Sequence, residues 1–167
     1  KLIEKEGVTV LAWQTEETMG FGETGTLMRS DLRWALRREG HVIFDMGYGI
    51  DGARRLNLIE GARENNLQVY AVINIGRPMT ACEKDIVTYV KTLGPIDGLI
   101  NNSHLGDETD VDFIQKGAIE VAAAAAALRV PFLFTTADQR FQKELGFRDA
   151  TGNPVFYLKR YMNRAYW

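Results

Sequence analysis

The sequence is poor in the residues that build disulfide frameworks and metal clusters. Among its 167 residues there are one cysteine, Cys82, and two histidines, His41 and His104. A single thiol excludes an internal disulfide, and this composition excludes a zinc or iron–sulfur site made from several cysteines or histidines. Chains with so few cysteines are typical of reducing compartments, so we expect a cytoplasmic protein.

The sequence also lacks a strong excess of charge and any long apolar run. Lys and Arg number 20 and Asp and Glu number 22, which gives a formal net charge of -2. Without a basic excess the chain is poorly suited to the phosphate backbone of nucleic acids, so we expect no nucleic-acid partner. The most uniform apolar stretch, 121–128, is far shorter than the roughly 18 residues of a membrane span, so we expect no span.

The first residues do not form a targeting signal. The chain opens with Lys rather than Met, and 1–6 has the pattern of neither a signal peptide nor a transit peptide. We therefore expect the natural protein to have a further N-terminal portion.

Hydrophobic residues make up 46% of the chain, enough for one sizeable core, and they fall into two alternating kinds of segment. Short β-branched or aromatic runs predict strands at 8–13, 41–45, 68–74, 96–101 and 130–135. Helical spacing predicts helices at 27–38, 53–64, 80–93 and 112–128, the last with Asp110 or Asp112 as its N-cap. This alternation predicts an α/β fold whose mostly parallel sheet carries helices on both faces. We expect one domain over 1–167, ending in a basic-aromatic tail at 146–167 whose aromatic residues pack onto the domain or onto a partner.

Glycine-rich polar loops follow three of the predicted strands. In sheets of this kind, ligands bind beyond the carboxyl ends of the strands. Backbone amides of glycine together with carboxylate, amide or guanidinium groups suit a site for phosphate, metal and base, although the same residue types also mark ordinary turns. The candidate site residues in these loops are Asp45, Gly47, Gly49, Arg77, Pro78, Asn101 and Asn102.

Asp45 ends a hydrophobic run and is followed by a glycine-rich turn. In a nucleotide hydrolase this placement lets the carboxylate hold magnesium, directly or through water. The amide of Gly47 or Gly49 then approaches the terminal phosphate. Asp45 is therefore the candidate metal ligand and, with Gly49, a candidate catalytic residue.

A second glycine pattern predicts a different ligand. The segment 20–25 matches G-x-G-x-x-G, and Asp45 lies 20 residues beyond it, as in a dinucleotide-binding fingerprint. The fingerprint's first glycine leaves its strand directly, whereas here the polar stretch 14–19 separates Trp13 from Gly20. A Rossmann-like NAD(P)-binding domain is one alternative function.

Four segments of the chain occur in this order in one family. They are 41–49 (HVIFDMGYG), the loop from Asn74 to Pro78, 101–109 (NNSHLGDET) and the ending 158–167 (LKRYMNRAYW). The chain resembles the C-terminal two thirds of a ParA/MinD-like P-loop ATP-binding protein. The resemblance implies a nucleotide-binding switch protein that uses ATP and Mg²⁺, with a protein partner or a homodimer as its assembly.

The resemblance also implies a role for each candidate residue. Asp45 matches the Walker B aspartate, and Gly47 and Gly49 match the switch turn that senses the terminal phosphate. Asn101 or Asn102 matches the amide that reads the base. The two remaining candidates, Arg77 and Pro78, match a loop beside the nucleotide.

The chain departs from the family pattern at the phosphate loop. Family members carry a G-x-x-x-x-G-K-[ST] loop and two further strands ahead of the matching segment, and no lysine of this sequence directly follows a glycine. We therefore expect a chain that does not hydrolyse ATP on its own, either part of a switch ATPase or, as the other alternative, a non-catalytic α/β docking module. The two missing strands would leave gaps, so we expect a shortened five-stranded sheet or gaps filled by other chain.

Overall fold

The computed structural model of the chain describes residues 7–10, 35–37, 39–47, 61–62 and 67–160. The chain divides into two compact units, Lys1–Leu67 and Gln68–Trp167. In the first unit, the described elements include one short 3₁₀ helix, Ala35–Arg37. The second unit contains all the strands that the structure describes.

A four-stranded, entirely parallel sheet forms the centre of the second unit, in the order β1-β2-β3-β4. Its strands are β1 (Tyr70–Ile73), β2 (Gly98–Asn101), β3 (Phe132–Asp138) and β4 (Val155–Leu158). The α/β class predicted from the sequence is confirmed. Because all four strands run in one direction, their carboxyl ends meet at one edge of the sheet, where ligands bind in folds of this class.

Three helices pack on one face of this sheet: α1 (Glu83–Leu93), α2 (Val111–Leu128) and the short α3 (Gln142–Leu145). Ile86 and Val90 of α1 and Val121 of α2 join Ile73 and Leu99 of the sheet in one buried cluster. The helical spacing of the apolar residues directs them to this face. On the opposite face, outward-pointing side chains are 40–60% exposed: Tyr70, Val72, Phe156 and Leu158.

Both ends of α2 are closed by local hydrogen bonds. The Asp110 side chain accepts a hydrogen bond from the Phe113 amide at 2.7 Å, so Asp110, one of the two predicted N-caps, is the cap. At the other end, Arg129 adopts a left-handed backbone with φ 58°, and its amide donates to the carbonyl of Ala126.

The strands and helices that periodicity predicts in the second unit are mostly present. Strands expected at 68–74, 96–101 and 130–135 and helices expected at 80–93 and 112–128 are present, with shifted ends. The prediction of a strand at 41–45 is wrong, because residues 41–47 have no strand structure and Ile43 is 92% exposed. A parallel strand requires a hydrogen-bonded neighbour, which an apolar run does not itself supply.

Other expectations fall partly or wholly outside the described residues. Within the strand expected at 8–13, residues 8–10 are described and are not a strand. Of the expected helices, 27–38 is described at 35–37 as a 3₁₀ turn, and 53–64 is described only at 61–62 as a turn. The five-stranded sheet is not found among the described residues: Asp45 lies outside the sheet, and β4 within 146–167 was not predicted as a strand.

Among the residues that the structure describes, no helix has both the length and the apolar character needed to cross a bilayer.

Close packing of α2 against the loop after β2 requires glycine at position 117. A Cβ atom placed on Gly117 would lie 2.3 Å from Ser103 Oγ and 2.8 Å from Asn101 Oδ1. Both of these side chains are buried, at 2% and 0% exposure. Any larger residue at 117 must therefore push α2 away from the loop.

We expect Gly117→Ala to lower the free energy of unfolding by about 1–3 kcal/mol, because it overpacks this contact. In an ordinary helix interior the same change raises stability by roughly 0.5–1 kcal/mol, so the sign of the effect is diagnostic. Urea unfolding followed by circular dichroism measures it. Ala126→Gly, at an exposed site of α2, is the control that measures helix propensity alone. A stabilised Gly117→Ala variant would contradict the packing.

Candidate functional site

A cleft of about 260 Å³ opens at the carboxyl ends of β1 and β2. We call it the strand-end cleft, and every described residue that lines it belongs to the second unit. Its lining residues are Val72, Asn74, Arg77, Met79, Thr80, Tyr89, Asn102 and His104. The described residues of the lining include one guanidinium and no carboxylate, so they favour an anionic ligand over a cationic one.

Asn74 joins the two loops that form the cleft. Its Oδ1 accepts hydrogen bonds from the amides of Gly76, at 2.8 Å, and His104, at 3.1 Å. Its Nδ2 donates to the carbonyl oxygen of His104 at 3.1 Å. The side-chain carboxamide therefore bonds to both the amide and the carbonyl of His104, as the backbone of a neighbouring strand does. A Cβ on Gly76 would lie 3.0 Å from that carbonyl oxygen, which leaves little room for another residue.

A tight turn places Arg77 at the mouth of the cleft. The Arg77 amide donates to the Asn74 carbonyl at 3.1 Å, and Pro78 opens the 3₁₀ turn Pro78–Thr80. The hydroxyl of Thr80 donates to the same Asn74 carbonyl at 2.7 Å. Arg77 therefore contributes its side chain to the lining, whereas Pro78 contributes only the shape of the turn.

The structure separates the two asparagines that the sequence left as alternatives. Asn101 has 0% exposure, and its Nδ2 donates to the Ile114 carbonyl and to Thr135 Oγ1, each at 3.2 Å. Its Oδ1 accepts from the amide and the hydroxyl of Ser103, so its carboxamide is used inside the protein. Asn102 lines the cleft, and its Oδ1 accepts from Thr136 Oγ1 at 2.7 Å. Of the two, Asn102 is placed to meet a ligand.

His104 is a partly buried histidine whose pKa is lowered from the ordinary value of 6.5. Burial of the ring is the largest cause, and the positive charges of Arg77 and Arg160 add to it. Nδ1 accepts a hydrogen bond from the Gly106 amide at 3.4 Å. In the neutral ring the proton then lies on Nε2, so at pH 7 His104 is a neutral group that can donate through Nε2.

The loop that follows His104 is held by two arginines from other elements. The Arg140 guanidinium donates to the carbonyls of Asp107, at 3.1 Å, and Thr109, at 3.0 Å. Arg160 forms an ion pair with the Asp107 carboxylate. This loop is therefore fixed by charged contacts to β3 and β4 neighbours.

Sequence reasoning gave no role to several residues of the cleft. The sequence identifies the loop from Asn74 to Pro78 but gives Asn74 itself no role. The signal that could have singled it out is its position between a buried strand and Gly76. Thr80, Tyr89 and Val72 carried no motif, because they reach the cleft from a turn, from α1 and from β1. Only the folded chain brings these elements together.

Asp45 and Gly47 are not among the residues that line the strand-end cleft. Asp45 and Gly47 belong to the first unit, where both are exposed, and Gly49 lies outside the described residues. Within the described ranges no group of three or more His, Cys, Asp or Glu residues could hold a metal ion. The described lining residues offer Mg²⁺ no carboxylate, and Asn74 Oδ1 already accepts two protein hydrogen bonds, so these residues are a poor fit for Mg²⁺. The magnesium role of Asp45 stays a prediction, and the glycine pattern at 20–25 lies outside the described residues.

Comparison with protein-family profiles, curated proteins and solved structures finds no match to this chain.

We expect the His104 imidazole to titrate with a midpoint below 6.5 in two-dimensional NMR spectra, with His41→Gln used to assign the signal. Arg77→Gln should raise the midpoint only part of the way, because burial is the larger cause. Lys91→Gln, at an exposed site of α1, should leave it unchanged. A midpoint at or above 6.5 would contradict the enclosure of this ring.

The same shift gives a sign for the pH dependence of stability. Because the folded pKa lies below the unfolded one, the unfolded chain binds the proton more readily. The contribution of His104 to stability is therefore complete above pH 6.5 and is lost as the pH falls through the folded pKa. His104→Gln should remove this part of the acid destabilisation in urea unfolding.

Proposed function

We propose that this chain is a nucleotide-binding protein of the ParA/MinD-like type, and that the strand-end cleft receives an adenine nucleotide. The observation that carries the proposal is the composition of the cleft at the carboxyl edge of a parallel sheet. There a guanidinium, two carboxamides and a wall of Val72, Met79 and Tyr89 converge. The resemblance to the family, through the loops at 74–78 and 101–109, supports the same ligand.

The chemistry of the lining matches a nucleotide in two respects. Val72, Met79 and Tyr89 offer apolar and aromatic surface to a flat base, and Asn102 offers a carboxamide to its polar edge. Arg77 offers a guanidinium, a group that pairs well with a phosphate. His104 is neutral at pH 7, so the charge of the cleft rests on Arg77.

The size of the cleft limits which part of the nucleotide it holds. Its volume of about 260 Å³ lies below the roughly 300–1,000 Å³ of sites that enclose a whole ligand. We therefore place the base and ribose in the cleft, with the phosphates extending past Arg77. In the family the outer phosphates are held by the lysine of a phosphate loop, which this sequence lacks.

Calorimetric titration of the full chain with ATP, GTP and NADH tests the proposal. We expect ATP to bind and Arg77→Ala to weaken it by about 0.2–1 kcal/mol, the range for an exposed charge contact, with a smaller effect at high salt. Lys91→Ala, which removes a charge outside the cleft, should leave the affinity unchanged.

Asn102→Ala separates recognition of the base from recognition of the phosphates. Losing a polar contact to the base should weaken ATP by about 1–3 kcal/mol while leaving inorganic triphosphate unaffected. A chain that binds neither ATP nor GTP would contradict the proposal. Binding of NADH that is lost in Gly22→Val would instead support the dinucleotide alternative.

We also expect no measurable ATP hydrolysis by this chain alone, because the lysine that contacts the β- and γ-phosphates is missing from the sequence. Single-turnover measurement with labelled ATP tests this expectation. Turnover that disappears in Asp45→Ala would contradict it, and would show that other residues of the chain hold the phosphates.

A further inference from the structure

A buried row of hydrogen bonds runs behind the strand-end cleft. Asp149 Oδ2 accepts from the Thr135 hydroxyl at 2.7 Å, and Thr135 Oγ1 accepts from Asn101 Nδ2 at 3.2 Å. Asn101 Oδ1 in turn accepts from the Ser103 hydroxyl at 2.6 Å. We call these four residues the buried relay, and their exposures are 6%, 0%, 0% and 2%.

Every hydrogen bond of the buried relay has a defined direction. The Thr135 hydroxyl donates to a carboxylate that can only accept, so its oxygen is left to accept from Asn101. Asn101 must then present Nδ2 to Thr135 and Oδ1 to Ser103. Polar groups buried in this way are destabilising when unpaired, and linked hydrogen bonds strengthen one another.

The Asp149 end of the buried relay is anchored by its own turn. Asp149 Oδ1 accepts from the Thr151 amide at 2.9 Å, the Thr151 hydroxyl at 2.7 Å and the Asn153 amide at 3.1 Å. These donors fix the carboxylate just before β4 begins. Oδ2 is thereby held in place as the acceptor for Thr135.

The other end of the buried relay reaches both loops of the cleft. Ser103 Oγ accepts from the Ile75 amide at 3.2 Å, which ties the loop after β2 to the loop after β1. Ser103 is flanked in sequence by Asn102 and His104, and both of these line the cleft. A displacement of Asn101 or Ser103 therefore moves the two lining residues with it.

We propose that Thr135 and Asp149 are positioning residues of the strand-end cleft, which act through Asn101 and Ser103 to fix Asn102 and His104. Neither Thr135 nor Asp149 is among the residues that line the cleft, so their effect on a ligand is indirect. The ligand named here, an adenine nucleotide, rests on the proposed function. The positioning itself is a property of the unliganded protein and is tested without nucleotide.

Thr135→Val is the main variant, because it keeps the shape of the side chain and removes only the hydroxyl. Thr135→Ser keeps the hydroxyl and removes a methyl group, so it tests rescue. Thr88→Val makes the same exchange at an exposed site of α1, where the hydroxyl donates to the Lys84 carbonyl, and is the control.

Three measurements are made on each variant of the chain. NMR spectra of the free protein record the Asn102 side-chain amide and the His104 imidazole, thermal unfolding records stability, and titration records ATP affinity. For Thr135→Val we expect displaced Asn102 and His104 signals and an affinity about tenfold lower, as for loss of one well-formed polar contact. Thr135→Ser should restore both, and Thr88→Val should change neither.

Asp149→Asn provides a second route if Thr135→Val fails to fold. With Oδ1 kept by the turn, the amide nitrogen would replace Oδ2 and would donate to Thr135, which reverses the hydrogen bond that Thr135 now makes. The Thr135 hydroxyl would then lose its acceptor, and we expect the Asn102 and His104 signals to move as in Thr135→Val. Asp138→Asn, whose carboxylate is not part of the buried relay, is the matched control.

The outcomes distinguish the two proposals. Variants of Thr135 and Asp149 that lower stability but leave the Asn102 and His104 signals at their wild-type positions would overturn the positioning role. Displaced signals in a protein that binds no ATP would support positioning and contradict the proposed function. Displaced signals with unchanged affinity for ATP would overturn the link between the buried relay and nucleotide binding.

Discussion

The structure of the second unit depends on satisfying one buried carboxamide. Asn101 ends β2 with 0% exposure, at a place where an unpaired amide would strongly destabilise the fold. It bonds to the Ile114 carbonyl of α2, to Thr135 of β3 and to Ser103 of the following loop. Each of these partners must therefore approach closely, and α2 does so because residue 117 is glycine.

The close approach of α2 in turn shapes the edge where ligands bind. Ser103, which is held by Asn101, accepts a hydrogen bond from the Ile75 amide. Asn74 forms hydrogen bonds with the backbone of His104. The loops after β1 and β2 thus become one hydrogen-bonded layer. Asn74 and Asn101 use their carboxamides within this layer, whereas Asn102 lines the cleft and accepts a hydrogen bond from Thr136 of β3. Three chemically identical side chains therefore have different tasks.

Sequence patterns predicted the elements that are both regular and buried. The spacing of Ile86 and Val90, and the cap at Asp110, were sufficient for α1 and α2. Sequence patterns gave a wrong result at 41–45, where an apolar run is not a strand. They also missed β4, a four-residue strand inside the segment that was interpreted as a tail. A run of residues shows what a segment could bury but not whether a neighbour is present to pair with it.

For the site, the sequence located the loops but not the division of roles within them. Adjacent residues of a strand point to opposite faces of the sheet, and this alternation is regular only as far as the strand extends. The roles of Asn101 and Asn102 therefore depend on where the hydrogen bonds of β2 end, which the sequence does not show. The roles of the arginine side chains also depend on the fold. Arg140 and Arg160 are near the cleft but hold the loop after His104 through its carbonyls and Asp107. Among the described lining residues Arg77 is the cation, because the turn at Pro78 places it there. A count of charged residues does not reveal this placement.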